Sequence, residues 1–427
     1  MTILIKNGHV VDPDTGTNEV MDVFLSEGKI TEVGKNLKKK AERTVDAANC
    51  YVMPGFIDLH VHLRDPGLEH KETVETGVKA AARGGYTTIL AMPNTKPVVD
   101  DGDVVQYVHK KAESAGLARV FQVGAVTKGQ KGKELADIRG MVQEGSPAIS
   151  EDGKSVMDAG LYRKGMKLAA ECGIPVLAHC EDINMVEGGV VNADEATRKL
   201  GLPGITNGVE DVIVARDILL AKETGARLHL CHCSTKDSVK LVELAKKEGL
   251  PVTAEVCPHH FTLTSSDIVA GDTNYKMNPP LRTAEDVEAL RQGLKENIMD
   301  VISTDHAPHT RQEKNTTMQK APFGIVGLET AAALTYTELV QKGYLTVMQM
   351  AEKMSYNTAQ VIGLDRGSLA EGKAADVVIF DPKTEYTIDA ETFASKGRNT
   401  PFDGRKVTGR VRMTIFDGNI VYDSETE

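Results

Sequence analysis

The chain has 427 residues, 41% of them hydrophobic, and a formal net charge of −11. That length exceeds the usual single-domain limit, so a second unit beside the main one is expected, with ample apolar material for a large core. The acidic balance argues against nucleic acid or an anionic membrane surface as partner, since both attract basic proteins, and an anionic ligand must find a local positive site.

Residues 1–52 carry short alternating strands broken by turn signals at Asn7-Gly8, Asp12-Pro13-Asp14 and Glu27-Gly28-Lys29. The apolar start, Met1 to Ile5, is too short for a signal peptide, and no run approaches transmembrane length, so the expected location is the cytoplasm. Eight apolar runs rich in β-branched residues follow, near 52–63, 87–93, 119–126, 147–152, 175–180, 227–233, 251–257 and 301–305. The stretches between them read as amphipathic helices of ordinary length. Strand and helix alternating eight times is the sequence form of an α/β, (β/α)8 TIM-like barrel. From residue 367 short strands return, with Gly372 to Asp381 and the Asp417-Gly418 hairpin signal. Neither terminal half buries a sheet face alone. Residues 1–52 and 367–427 are therefore expected to form one small β-sandwich beside a barrel of residues 53–366.

The first barrel run holds Asp58-Leu59-His60-Val61-His62-Leu63-Arg64. Side chains at i and i+2 of a strand share a face, about 6.6 Å apart, so His60 and His62 can converge on one cation, with Arg64 continuing that face. A bare pair of histidines on a strand is more often packing. Here Asp152, His179, His232 and Asp305 stand near the ends of other runs, and the C-terminal ends of barrel strands carry the chemistry. Beside Asp152, Glu151 should point to the opposite face. Lys154 shares Asp152's parity and is an alternative, carboxylated bridge if the strand runs past Gly153. The plain reading of Asp305 is a helix N-cap, but Ala307-Pro308-His309 leads into a polar stretch, His306 to Lys320, read as a long loop that closes over the site. Six cysteines without regular spacing make no disulfide framework, and strand alternation points Cys231 and Cys233 away from His232's face, toward the helix layer. Asn94 and Asn278 on their own read as a turn residue and an extended residue before proline. Two divalent cations would outweigh the charges of Asp152, Asp305 and a hydroxide, so such a site favours an anion.

Larger motifs narrow the reading. They are Pro54 to Gly67, Met92-Pro93-Asn94-Thr95, Met277 to Arg282, Asp305-His306-Ala307-Pro308-His309 and Ala321-Pro322-Phe323-Gly324. On these the chain resembles the amidohydrolase superfamily of metal-dependent hydrolases and, within it, the bacterial type I dihydroorotases. The resemblance implies two Zn2+ ions per subunit, one on His60 and His62 and one on His179 and His232, bridged by Asp152 and a hydroxide nucleophile. It implies Asp305 as the carboxylate that shuttles the proton at that centre. Arg64, Asn94 and His309 would hold a substrate carboxylate, while Asn278 and the backbone of Pro322, Phe323 and Gly324 would contact the ring amides. The implied reaction is the reversible cyclisation of N-carbamoyl-L-aspartate to L-dihydroorotate in pyrimidine biosynthesis, and the implied partners are a second copy of the chain, as a homodimer, and aspartate transcarbamoylase. Histidine and carboxylate ligands also accept manganese or cobalt. Allantoinase and dihydropyrimidinase share the barrel and metals, and a silent subunit supporting aspartate transcarbamoylase is the reading from a different class.

Overall fold

The computed structural model describes residues 1–426. At the N-terminus, β1 (Ile3–Asp12), β2 (Thr17–Ser26), β3 (Lys29–Gly34), β4 (Arg43–Asp46) and β5 (Tyr51–Pro54) are short, turn-separated strands. The barrel region supplies β6 (Phe56–Val61), β7 (Tyr86–Ala91), β8 (Arg119–Gln122), β9 (Gly124–Ala125), β10 (Ile149–Ser150) and β11 (Val176–Ala178). After an outlying pair, β12 (Val191–Asn192) and β13 (Gly204–Ile205), it continues with β14 (Leu228–Leu230), β15 (Val252–Val256) and β16 (Val301–Ile302). The chain ends with β17 (Val377–Thr387), β18 (Lys406–Phe416) and β19 (Asn419–Asp423).

Both termini build one eight-stranded sheet in the order β19-β18-β17-β5-β1-β2-β3, with β4 added to β1. It encloses a core of its own, in which Ile3, Ile5, Val23, Leu25 and Val52 meet Val377, Ile379, Met413 and Ile415 from the other end of the chain. The alternating apolar face of each half is thus covered by the other half.

The barrel strands run parallel as β6-β7-β8 and β9-β10-β11-β14-β15-β16. β8 and β9 are one run interrupted at Val123, whose N–H still reaches the Ala91 carbonyl at 2.9 Å. The ring closes between β6 and the segment after β16. There the Thr304 N–H donates to the buried Asp58 carboxylate at 3.2 Å, and the His62 N–H donates to the His306 carbonyl at 2.8 Å. A helix follows each strand, and Thr73, Asp101, Asp137, Asp158, Thr235 and Thr283 each cap one by accepting a first-turn N–H. The interior below the site is filled by Leu59, Leu90, Val123, Leu177, Cys231 and Val301, and the helix Asn357–Ile362 packs beneath them. Among the described residues no helix is long and apolar enough to cross a membrane.

Three local expectations are corrected. The run 52–63 is not one strand: β5 joins the terminal sheet, β6 enters the barrel, and Gly55 turns between them, where a Cβ would lie 2.4 Å from the Thr87 side chain. The His306–Lys320 stretch is not all loop, because Arg311–Lys314 forms one helical turn with a Thr310–Glu313 capping box. Cys231 does not face the helix layer. It shares His229's parity and packs into the barrel interior, whereas His232, with a left-handed φ of 35°, departs from the alternation and reaches the site without sharing the cysteines' opposite face.

Candidate active site

At the C-terminal mouth of the barrel lies a cleft of about 190 Å³, lined by His62, Arg64, Asn94, Asp152, His179, His232, Asn278, Asp305, His309, Phe323 and Gly324. His60 is fully buried just behind it. Pro322 does not line the cleft; its carbonyl accepts from the buried Lys314 ammonium at 3.0 Å. Arg64, His232 and Asp305 all have left-handed backbones, at φ 62°, 35° and 48°. Non-glycine residues adopt this region at a cost, and such strain gathers where side chains must be aimed.

Asp152 is the centre of the arrangement. Its Oδ1 lies 3.1 Å from His60 Nε2, 3.6 Å from His179 Nδ1 and 3.9 Å from His232 Nε2, while its Oδ2 lies 3.5 Å from His62 Nε2. Asp305 Oδ1 approaches His62 Nε2 at 3.1 Å and His60 Nε2 at 3.7 Å. The alternatives beside Asp152 point elsewhere: Glu151 accepts from the Thr127 N–H at 3.0 Å, and the Lys154 ammonium donates to the Gln130 carbonyl at 3.1 Å. Burial alone would raise both aspartates. The surrounding imidazoles overcome it, holding Asp152 well below the ordinary carboxylate range and Asp305 at about 2.

The donor set fits a cation. His60 Nε2 is buried without a hydrogen-bond partner, and the ligand atoms of His60, Asp152 and His232, like those of His60, His62 and Asp305, lie within 4.8 Å of one another. Three of the four rings are braced from outside, as metal-binding histidines usually are, while His232 Nδ1 is buried without a partner. His62 Nδ1–H donates to Asn94 Oδ1 at 2.9 Å, His60 Nδ1–H donates to Glu255 Oε1 at 3.0 Å, and His179 Nε2 faces Glu181 Oε2 at 3.4 Å. Imidazole and carboxylate ligands of this kind suit zinc and its first-row neighbours.

On the cleft's other side the charge is positive. The buried Arg64 guanidinium is fixed through Nε, which donates to the Pro308 carbonyl at 3.3 Å. Beside it His309 Nε2–H donates to the Phe323 carbonyl at 2.8 Å and Nδ1 accepts from the Lys71 ammonium at 3.3 Å. Burial first, then the charges of Arg64, Lys71 and Lys314, push His309 down to about 2, so it is a neutral ring. Asn94 also donates to Asp152 Oδ2 at 3.1 Å, so its amide bridges two residues of the cluster. Asn278 donates to Glu181 Oε1 at 2.8 Å. Lys71, Glu181 and Glu255 were not singled out from the sequence. Glu255 alone left a signal there, a charged residue inside an apolar strand run.

A family model described as "Dihydro-orotase-like" matches residues 50–238. Over 421 residues the chain is 49% identical to a protein of Pelotomaculum thermopropionicum named dihydroorotase, covering 99% of this chain and 98% of that one. A protein of the same name from Acetivibrio thermocellus is 45% identical, covering 98% of each chain.

The chain belongs to the dihydroorotase family.

Among solved structures, the L-hydantoinase (dihydropyrimidinase) of Arthrobacter aurescens superposes with a TM-score of 0.87 at 28% identity, covering 99% of this chain and 96% of that one. The D-hydantoinase (dihydropyrimidinase) of a Thermus species superposes with a TM-score of 0.83, also at 28% identity, covering 99% and 95%. The barrel with its terminal sheet is therefore shared with hydantoinases, whereas nearly half of all residues are shared with dihydroorotases. This dihydroorotase-family chain keeps an aspartate, Asp152, at the centre of its donor cluster, with no lysine beside it turned inward.

Proposed function

We propose that the chain is a dihydroorotase, interconverting L-dihydroorotate and N-carbamoyl-L-aspartate at this cleft. The observation that carries the reading is the juxtaposition of a carboxylate–imidazole cluster with a buried arginine across one small cleft. Dihydroorotate is a cyclic amide bearing one ring carboxylate, and a planar guanidinium matches a carboxylate with two parallel N–H donors. Hydantoin and dihydrouracil rings carry no such group.

His60, His62, Asp152, His179, His232 and Asp305 would hold two divalent cations, zinc by preference. Bound there, such ions polarise a carbonyl and acidify water toward a pKa of about 7. The protein's own groups do the rest. Arg64, beside neutral His309, holds the substrate carboxylate, and Phe323 and Gly324 border the ring. Asp305 accepts a proton from the attacking water and returns it to the ring nitrogen as the C–N bond breaks, leaving a ureido group and a new carboxylate. Ring closure runs the same path backward and consumes one proton, so acid favours the ring and alkali the open chain.

The deciding assay follows loss of dihydroorotate with metal-replete protein, with hydantoin, allantoin and dihydrouracil in parallel. Selective, chelator-sensitive turnover of dihydroorotate is expected. Preference for an uncharged ring would move the chain to a sister activity, and turnover of none would favour a silent subunit.

The segment 306–320 is held to the 272–276 segment by two lysines. Lys314 Nζ donates to the Thr273 and Lys276 carbonyls at 2.9 and 3.2 Å, and Lys276 Nζ donates to the Met318 carbonyl at 2.7 Å. His309 at its start and Phe323 just past its end both border the cleft. We assign it the role of a cover that excludes water from the reacting centre. Tryptic cleavage after the exposed Arg311 should slow several-fold when dihydroorotate is bound, and equal rates with and without ligand would remove the assignment.

A further inference from the structure

A polar column descends from the metal cluster into the barrel. His229 and Thr253 are direct partners across β14 and β15, and Glu255 stands two residues further along the same inward face. The Thr253 hydroxyl donates to His229 Nδ1 at 2.8 Å, His229 Nε2–H donates to Glu255 Oε2 at 3.0 Å, and His60 Nδ1–H donates to Glu255 Oε1 at 3.0 Å. An ionised carboxylate only accepts, so both rings must turn an N–H toward it. In the neutral His60 ring this choice of tautomer leaves Nε2, 3.1 Å from Asp152 Oδ1, as the atom free to bind a cation.

The same Glu255 oxygen accepts a second donor, the backbone N–H of His232, at 3.2 Å. His232 is one of the residues with a left-handed backbone. One buried carboxylate therefore orients the ring of a ligand on the first barrel strand and the main chain of a ligand after the sixth. His229 and Glu255 are both fully buried, and a charge taken out of water there is tolerated only with complete hydrogen bonding, which this column supplies.

We propose that Glu255 and His229 are positioning residues that set the metal affinity of the site, Glu255 by fixing His60 and His232 and His229 by fixing Glu255. This rests on reading His60 as a metal ligand. The test is the apparent Kd for Zn2+ of the full chain, by chelator competition, together with the absorption spectrum of the Co2+-loaded protein. Glu255→Gln should bind Zn2+ about 10- to 100-fold more weakly and shift the cobalt bands. His229→Gln should weaken binding less, and should add little to Glu255→Gln, because it acts through that residue. A purely structural column would lower the melting temperature and leave the Kd of the folded protein alone. Folded Glu255→Gln and His229→Gln variants both within about twofold of the parent Kd would overturn the proposal. If Glu255→Gln does not fold, His229→Gln and Thr253→Val carry the test, and an unchanged Kd in both overturns it equally. His60→Asn separates the two levels of the argument. If it leaves Kd unchanged the metal reading itself fails; if it weakens binding while Glu255→Gln does not, only the positioning role is lost.

Discussion

Asp305→Asn will reduce turnover of dihydroorotate by about 10²- to 10⁴-fold, the usual contribution of a positioned general acid–base group, while metal content stays near that of the parent. The argument is geometric. Asp305 Oδ1 sits 3.1 Å from His62 Nε2 at the mouth of the cleft, on a left-handed backbone that aims it inward. The five side chains proposed to hold the cations besides it are unchanged, and asparagine keeps an oxygen in the same place, so the metal content should remain. What asparagine cannot do is carry a proton from water to the ring nitrogen. Turnover within a few-fold of the parent would show that another group moves the proton. Its competing role as a helix N-cap is already excluded, since the next helix starts at Arg311 with Thr310 as its cap.

Arg64→Lys will separate charged from uncharged substrates. A hydrogen bond to a charged group contributes about 1.5–3 kcal/mol, and lysine loses the paired geometry, so kcat/KM for dihydroorotate should fall about 10- to 100-fold. Any residual turnover of hydantoin or dihydrouracil should change by only about threefold, because those rings offer no carboxylate for the fork to hold. Lysine at this position also loses the Nε donor to the Pro308 carbonyl, which anchors the arginine in the parent. Equal losses on both kinds of ring would make Arg64 a structural residue of the 305–309 turn.

Much of this site was readable because barrel chemistry follows strand ends. His60, His62, Asp152, His179, His232 and Asp305 each stand at or near the end of an apolar run, and the structure gathers all six. The braces were not readable. Glu255 lies within Val252–Val256, where the run only shows a charged residue among apolar ones; that it faces His60 depends on a strand far away in sequence. Glu181 and Lys71 lie on connecting segments whose paths no periodicity describes. Cys231 was misplaced for a definite reason: His232 was taken as the inward residue of a regular alternation, but its left-handed backbone breaks that alternation and Cys231 keeps the inward parity of His229. The expected single strand over 52–63 failed at Gly55, because a change of sheet leaves no mark in hydropathy. Pro322 was expected at the ring and is instead taken up by Lys314, a buried lysine that reads from sequence as surface.

The joint between β6 and the turn after β16 also bears on how the protein comes into being. His62 and Asp305, which meet across it, are 243 positions apart in the chain. A ribosome delivers the two histidines at the first barrel strand early and the aspartate only after all eight barrel strands have been made. The terminal sheet likewise cannot bury its inner face until the last strands emerge. No unfinished chain holds both halves of this cluster, so the cleft takes its form only when the ring is whole.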